Sequence, residues 1–157
     1  MIVHNSMLVH EINAIYYDSL IKQSKILTNQ TYYVDIKPKD VIENLCNRYG
    51  LSLDGSLSAI KRSLNIHQKC PVLVHPLLQI YFFPTCSMNE LDCVWINSKQ
   101  IKKINKKDFV TEIVFRNNTS ILCNVGNRSI KKQISRCEMM EDRILKQYQI
   151  DQLSLKV

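Results

Sequence analysis

Glycine and proline are scarce in this chain, three and four in 157 residues, which excludes collagen-like repeats and the Gly/Ser/Pro-rich linkers that separate domains. No apolar run approaches the roughly 18 residues that a membrane-spanning helix needs. The N-terminal MIVHNSMLVHEIN also lacks the charged start and unbroken apolar stretch of a signal peptide. The expected location is therefore intracellular, in the cytoplasm, with no membrane partner. Internal repeats and low-complexity segments are missing too. With 45% hydrophobic and 22% charged residues, the composition is that of one globular domain over residues 1–157 that removes roughly two thirds of its surface from water.

The chemistry-bearing patterns are equally thin. There is no phosphate-cradling Gly-rich loop, no Gly-x-Ser-x-Gly turn and no His-Glu-x-x-His, and the acidic residues form no convincing metal cluster. His4, His10, His67 and His75 are scattered. The cysteines are Cys46, Cys70, Cys86, Cys93, Cys123 and Cys137, and no two are separated by two residues as zinc knuckles and thiol redox motifs require. His67, Cys70 and His75 lie close together, yet Cys70-Pro71 opens an apolar segment and no second ligand pair follows. The expectation is no enzyme, no cofactor, no metal and no disulfide, with the cysteines as buried or half-buried free thiols. A small cysteine enzyme, its Cys-His pair assembled by the fold, is the least favoured alternative.

What the chain has is charge, placed unevenly. Residues 1–98 hold 8 Lys/Arg against 8 Asp/Glu, whereas residues 99–157 hold 13 against 6, so the whole net charge of +7 lies in the last part. A polyanionic partner fits such a concentration, nucleic acid ahead of a membrane surface because no lipid-seeking helix flanks it. Lysine outnumbers arginine 15 to 6, Ile and Asn are frequent and Ala occurs twice. An A/T-rich genome produces that bias by itself, so charge alone does not decide.

Local patterns predict an α+β fold: a mostly antiparallel sheet, an early helix pair and a C-terminal amphipathic helix. Strands are expected at Leu8 to Ile12, Ala14 to Tyr17 and Thr31 to Ile36. Pro38 suits a first helical turn, Val41, Ile42, Leu45 and Tyr49 share one face, and Gly50 suits the position past the end. Ser56 is the expected cap of a shorter helix with Leu57, Ile60 and Leu64 inward, and Lys61 and Arg62 outward. Short strands follow at Val72 to Val74, Ile80 to Phe83 and Cys93 to Ile96, with Pro71, Pro76 and Pro84 at edges or ends. From Phe109 the chain alternates, with Phe109, Thr111, Ile113 and Phe115 on one face, and Asn117-Asn118 as a tight turn before Ile121 to Val125.

Two basic clusters, with Lys61 and Arg62 of the shorter helix, are the candidate DNA-binding site. Lys99, Lys102, Lys103, Lys106 and Lys107 are interleaved with Ile101 and Ile104, which are expected to pin a short turn while the lysines fan outward as phosphate contacts. A soluble connector between strands is the plain alternative. The last helix, expected from Ser129 to Tyr148, has an apolar stripe of Ile130, Ile134, Cys137, Glu141/Met140, Ile144 and Tyr148, but its charge order is inverted. Arg128, Lys131, Lys132 and Arg136 crowd the N-terminal half, where the helix dipole favours anions, so a nucleic-acid backbone explains the order better than stability does. Lysine supplies affinity more than sequence choice, which leaves Arg116 and Arg128 as the candidates for selectivity. Tyr32, Tyr33, Tyr81, Phe82 and Phe83 could stack on single-stranded bases, but their apolar strand runs suit a core.

Pro71-Val72-Leu73-Val74-His75-Pro76, then Ile80 to Thr85 (IYFFPT), then Cys93 to Ile96 (CVWI) followed by Ile101, resemble the central signature of the ComK family of competence transcription factors. The strand YYVDIKP, the helix ending Cys46-Asn47-Arg48-Tyr49-Gly50, Thr111 to Phe115 and the final helix are similar in order, so the family-like region runs from about residue 8 to about 148, with a short tail 149–157. The resemblance implies a double-stranded-DNA-binding activator that recognises paired A/T-rich boxes, largely through the minor groove, as a homodimer or pair of dimers. RNA polymerase is then a further candidate partner.

Two departures stand out. Where the family pattern has Gly-Arg-Lys in the loop after the first helix, Gly55 is followed here by Ser56 and Leu57, with Lys61-Arg62 displaced along the chain. The family's longer members continue into a tail read by an adaptor of a regulated protease, and with only DQLSLKV after the helix that control is not expected. The stretch from Trp95 to the last helix also faintly resembles LytTR-type DNA-binding domains. The alternatives to DNA binding are an RNA- or single-strand-binding module and a regulatory paralogue acting by protein contacts.

Overall fold

Alternating burial decides which segments of this chain become strands, and it does so in places where the residue types hide it. The computed structural model describes residues 7–155, so His4 lies outside the described residues. Along them run β1 (Ala14–Asp18), β2 (Gln23–Leu27), β3 (Thr31–Val34), α1 (Pro38–Arg48), α2 (Leu53–Leu64), β4 (Val72–His75), β5 (Ile80–Pro84), β6 (Trp95–Asn97), β7 (Ile101–Lys107), β8 (Val110–Phe115), β9 (Ser120–Cys123) and α3 (Asn127–Leu155). The α+β class is as expected, but the strands form two antiparallel sheets rather than one: six strands in the order β3-β2-β1-β6-β5-β4, and three in the order β7-β8-β9.

The strand expected at Leu8 to Ile12 is instead a 3-10 turn over Val9–Glu11. Val9 and Ile12, three apart, are both buried while Leu8 is exposed, which a strand's two-residue period could not achieve. Strand β2 was not anticipated. Its Ser24 and Ile26 point inward while Gln23, Lys25 and Leu27 are half-exposed, and the buried Ser24 hydroxyl is satisfied on the Ile36 carbonyl at 2.5 Å.

Helix α1 follows its local signals. Pro38 occupies the first turn, and Gly50, at φ +79°, closes the helix, with the Leu51 N–H on the Cys46 carbonyl at 3.0 Å and the Gly50 N–H on Asn47 at 3.2 Å. Helix α2 starts a turn earlier than expected, because Leu53 is itself a core residue. Its cap is Ser52, whose Oγ accepts from the Gly55 N–H at 3.0 Å. Ser56 is buried and clamps the edge strand β4: its hydroxyl donates to the Leu73 carbonyl at 3.1 Å and accepts from the Leu73 N–H at 2.7 Å. Ser56→Ala strips both partners from a sheet edge and should cost about 1–3 kcal/mol, against about 1 kcal/mol for Ser52→Ala. Urea titration of the two variants checks the order, and a costlier Ser52→Ala would contradict it.

The core gathers where β6 joins the two halves of the large sheet. Ile15 on β1 and Pro84 on β5 both pair with Trp95, and Trp95, Phe82 and Phe83 are fully buried. Helices α1 and α2 pack on β1 and β4, and α3 lies against β5, β7, β8 and α2. Helix α3 also runs further than expected, to Leu155, so most of the presumed tail is helical. Its buried residues are Ile130, Gln133, Cys137 and Met140. The Gln133 amide donates to the Lys69 carbonyl at 2.7 Å and to Pro84 at 2.8 Å, fastening the helix to the end of β5.

Candidate nucleic-acid interface

From Ile101 to Lys107 the lysine cluster is a strand, not the expected turn, with Lys99 on a 3-10 turn before it. Ile101 and Ile104 do anchor it, but three-residue spacing puts two strand residues on opposite faces unless the period is broken. A bulge between Ile101 and Lys103 breaks it: Ile101 pairs with Phe115 and Ile104 with Ile113, two residues of one buried face. Beyond the bulge the alternation resumes, which places Lys106 on the inner side with Ile104, and Lys103 and Lys107 on the outer side. Lys106 sits opposite Thr111 in the ladder. Its partner Thr111 donates its hydroxyl to the Val125 carbonyl at 2.8 Å, tying this end of the hairpin to the loop before α3.

The result is an open cleft of about 480 Å³ lined by Lys106, Gly126, Asn127, Arg128 and Lys131. None of these residues is acidic. Gly126 accepts the first helical bonds from Ser129 and Ile130 but has no side chain to cap the helix, so the positive end of the dipole, roughly half a charge, adds to three cations. Asn127 was missed by sequence reasoning, and its only signal was its place beside Gly126.

The other candidate residues lie elsewhere. Lys99 forms a 2.7 Å ion pair with Glu141 on α3, Lys102 donates to Asn118 Oδ1 at 2.8 Å, and the Arg116 Nε donates to the Lys99 carbonyl at 2.6 Å. These three sit at the far end of β8, whose six residues span roughly 17 Å. Arg116 and Arg128 are therefore not brought together. The loop bearing Arg116 has four residues, with Phe115 N–H on the Thr119 carbonyl at 2.8 Å, and of the two asparagines only Asn118 takes a positive φ, +69°.

A third group lies between α2 and α3. Lys132 and Arg136 line a groove of about 670 Å³ with His67 and Gln68, and Lys61 lines a neighbouring one of about 410 Å³ with His67 and Lys69. Arg62 is exposed beside them on α2. Arg136 is half-buried and committed to the protein, donating to the Gln68 carbonyl at 3.2 Å, Lys69 at 3.4 Å and Gln133 Oε1 at 3.1 Å. Lys69 carries no signal in the sequence, and His67 stands out there only beside Cys70 and His75.

Cysteine chemistry is muted. Five thiols are buried and Cys86 is half-buried. Burial pushes Cys46, Cys86, Cys123 and Cys137 up to about 12 and Cys70 up to about 11, so these groups are protonated at neutral pH. Cys86, Glu90 and Asp92 bring possible ligand atoms within 4.8 Å of one another, a grouping hidden from a search for two-residue cysteine spacing. Among the described residues no helix is long and apolar enough to cross a membrane.

Comparison with known proteins agrees with the resemblance carried by the FFPT and Trp-Ile segments. In Bacillus subtilis (strain 168), a protein described as competence transcription factor is 29% identical over 127 residues, covering 77% of this chain and 66% of that relative. The match thus spans just under two thirds of the relative's length. No solved structure matches the chain. The profile of the ComK protein family matches residues 2–149, which takes in both sheets and most of α3. The chain belongs to the ComK family.

Proposed function

We propose that this protein is a transcription factor for competence (DNA-uptake) genes that binds double-stranded DNA at A/T-rich boxes, largely through the minor groove. It works in the cytoplasm at the nucleoid, as a homodimer or pair of dimers. The family and the name of the Bacillus subtilis relative support the regulatory part. One observation carries the DNA part: Lys106 from a strand and Arg128 and Lys131 from a helix N-terminus converge on one open cleft without a carboxylate in its lining.

In this reading Lys106 and Lys131 neutralise phosphates, with Lys103 and Lys107 beside them, and counterion release supplies most of the affinity. Arg128 reaches the groove. A narrow A-tract minor groove has enhanced negative potential that attracts an inserted guanidinium, and its degenerate edge pattern suits a protein that senses composition and width. Arg116, Lys99 and Lys102 at the far end of β8, and Lys132 with Lys61 and Arg62, are outlying contacts.

Replacing A·T by I·C pairs keeps the minor-groove pattern while changing the major-groove one. Binding should survive that swap and should fall when distamycin occupies the minor groove. Loss of binding on I·C substitution would reject minor-groove reading and favour a major-groove mode.

A further inference from the structure

We propose that Phe109 is an apolar wedge that enters the base stack of the bound DNA and kinks it, an inference that rests on the DNA reading above. Phe109 occupies the two-residue turn between β7 and β8, after Asp108 at φ +55° and inside the Lys107↔Val110 pair. It is 93% exposed, against 51% for Tyr33 and 52% for Tyr148. The fold gains nothing from a phenyl ring held in water, and a polar residue or glycine serves such a turn better.

Its surroundings give the ring a purpose. Lys106 and Lys107 lie just before it, separated from it by Asp108, and the same end of the hairpin borders the cleft of Lys106, Arg128 and Lys131, to which it is tied by the Thr111 to Val125 hydrogen bond. A ring beside cations that hold the neighbouring phosphates is placed to slide into a base step. Minor-groove proteins insert Phe, Leu or Met in this way, partly unstacking the step and bending the duplex by roughly 20–90°. The cost is least at flexible pyrimidine–purine steps such as TA. A/T-rich boxes contain TA steps, so the wedge would choose among sites of equal A·T content.

The test uses A/T-rich duplexes carrying 2-aminopurine at successive steps, with donor and acceptor dyes on the ends. The parent should brighten 2-aminopurine at one TA step and shorten the end-to-end distance. Phe109→Ala, whose native circular dichroism is expected because the ring touches no core, should lose both signals and bind about 5- to 100-fold more weakly. Its salt dependence should stay that of the parent, since no phosphate contact is removed. Phe109→Leu should recover much of the bend. Binding by the parent without brightening or bending, or an undiminished bend in Phe109→Ala, overturns the wedge alone. A parent that binds no duplex overturns the DNA reading and the wedge with it.

Discussion

Trp95→Ala should lose about 3–5 kcal/mol of stability, a large part of the roughly 5–15 kcal/mol that holds a domain of this kind folded. The ring is fully buried on β6, where Trp95 pairs in register with Ile15 of β1 on one side and Pro84 of β5 on the other. Removing it opens a cavity at the seam between the two halves of the large sheet, and DNA binding should fail only as the protein unfolds. The Trp95 Nε1 has no hydrogen-bond partner among the described residues. Trp95→Phe therefore removes an unsatisfied buried donor along with the lost area and should cost clearly less than Trp95→Ala. Urea titration followed by circular dichroism measures both. A Trp95→Ala protein that melts like the parent yet fails to bind DNA would move the ring from the core to the recognition surface.

Where folding rules are local, the chain was readable. Pro38, the Val41/Ile42/Leu45 face and Gly50 set α1 by capping and periodicity alone, and Thr111, Ile113 and Phe115 mark β8 by strict alternation. The misses have physical causes. Strand β2 hid because its inward positions include Ser24, whose polarity is cancelled only by the distant Ile36 carbonyl. Strand β7 looked like a loop because lysines dominate it and because its bulge breaks the two-residue period just where the isoleucines need one face. Phe109 shares a face with Thr111, Ile113 and Phe115 only if the alternation is extended one step into the turn, where the backbone no longer follows it.

The site was legible as two basic clusters but not as a place. That Lys106 meets Arg128 and Lys131, while Lys102 and Arg116 belong to the other end of β8, depends on strand register and on the Thr111 hydroxyl. No local pattern encodes either. The lysines from Lys102 to Lys107 are therefore not one unit, and substitutions should separate them.

The salt dependence of binding tests the convergence most directly. Each phosphate contact contributes roughly 0.9 to the slope of log affinity against log salt, so Lys106→Ala, Arg128→Ala and Lys131→Ala together should flatten it by about 1.8 through the two phosphate contacts of Lys106 and Lys131. The same number of changes at Lys99, Lys102 and Arg116 should flatten it less, because Lys99 is already paired with Glu141 and Arg116 is bonded to the Lys99 carbonyl. The measurement is a titration of A/T-rich duplex with parent and both triple variants from low to physiological salt, each variant first checked for native circular dichroism. The account predicts the flattened slope for the Lys106/Arg128/Lys131 variant; a parental slope in that folded variant would contradict it.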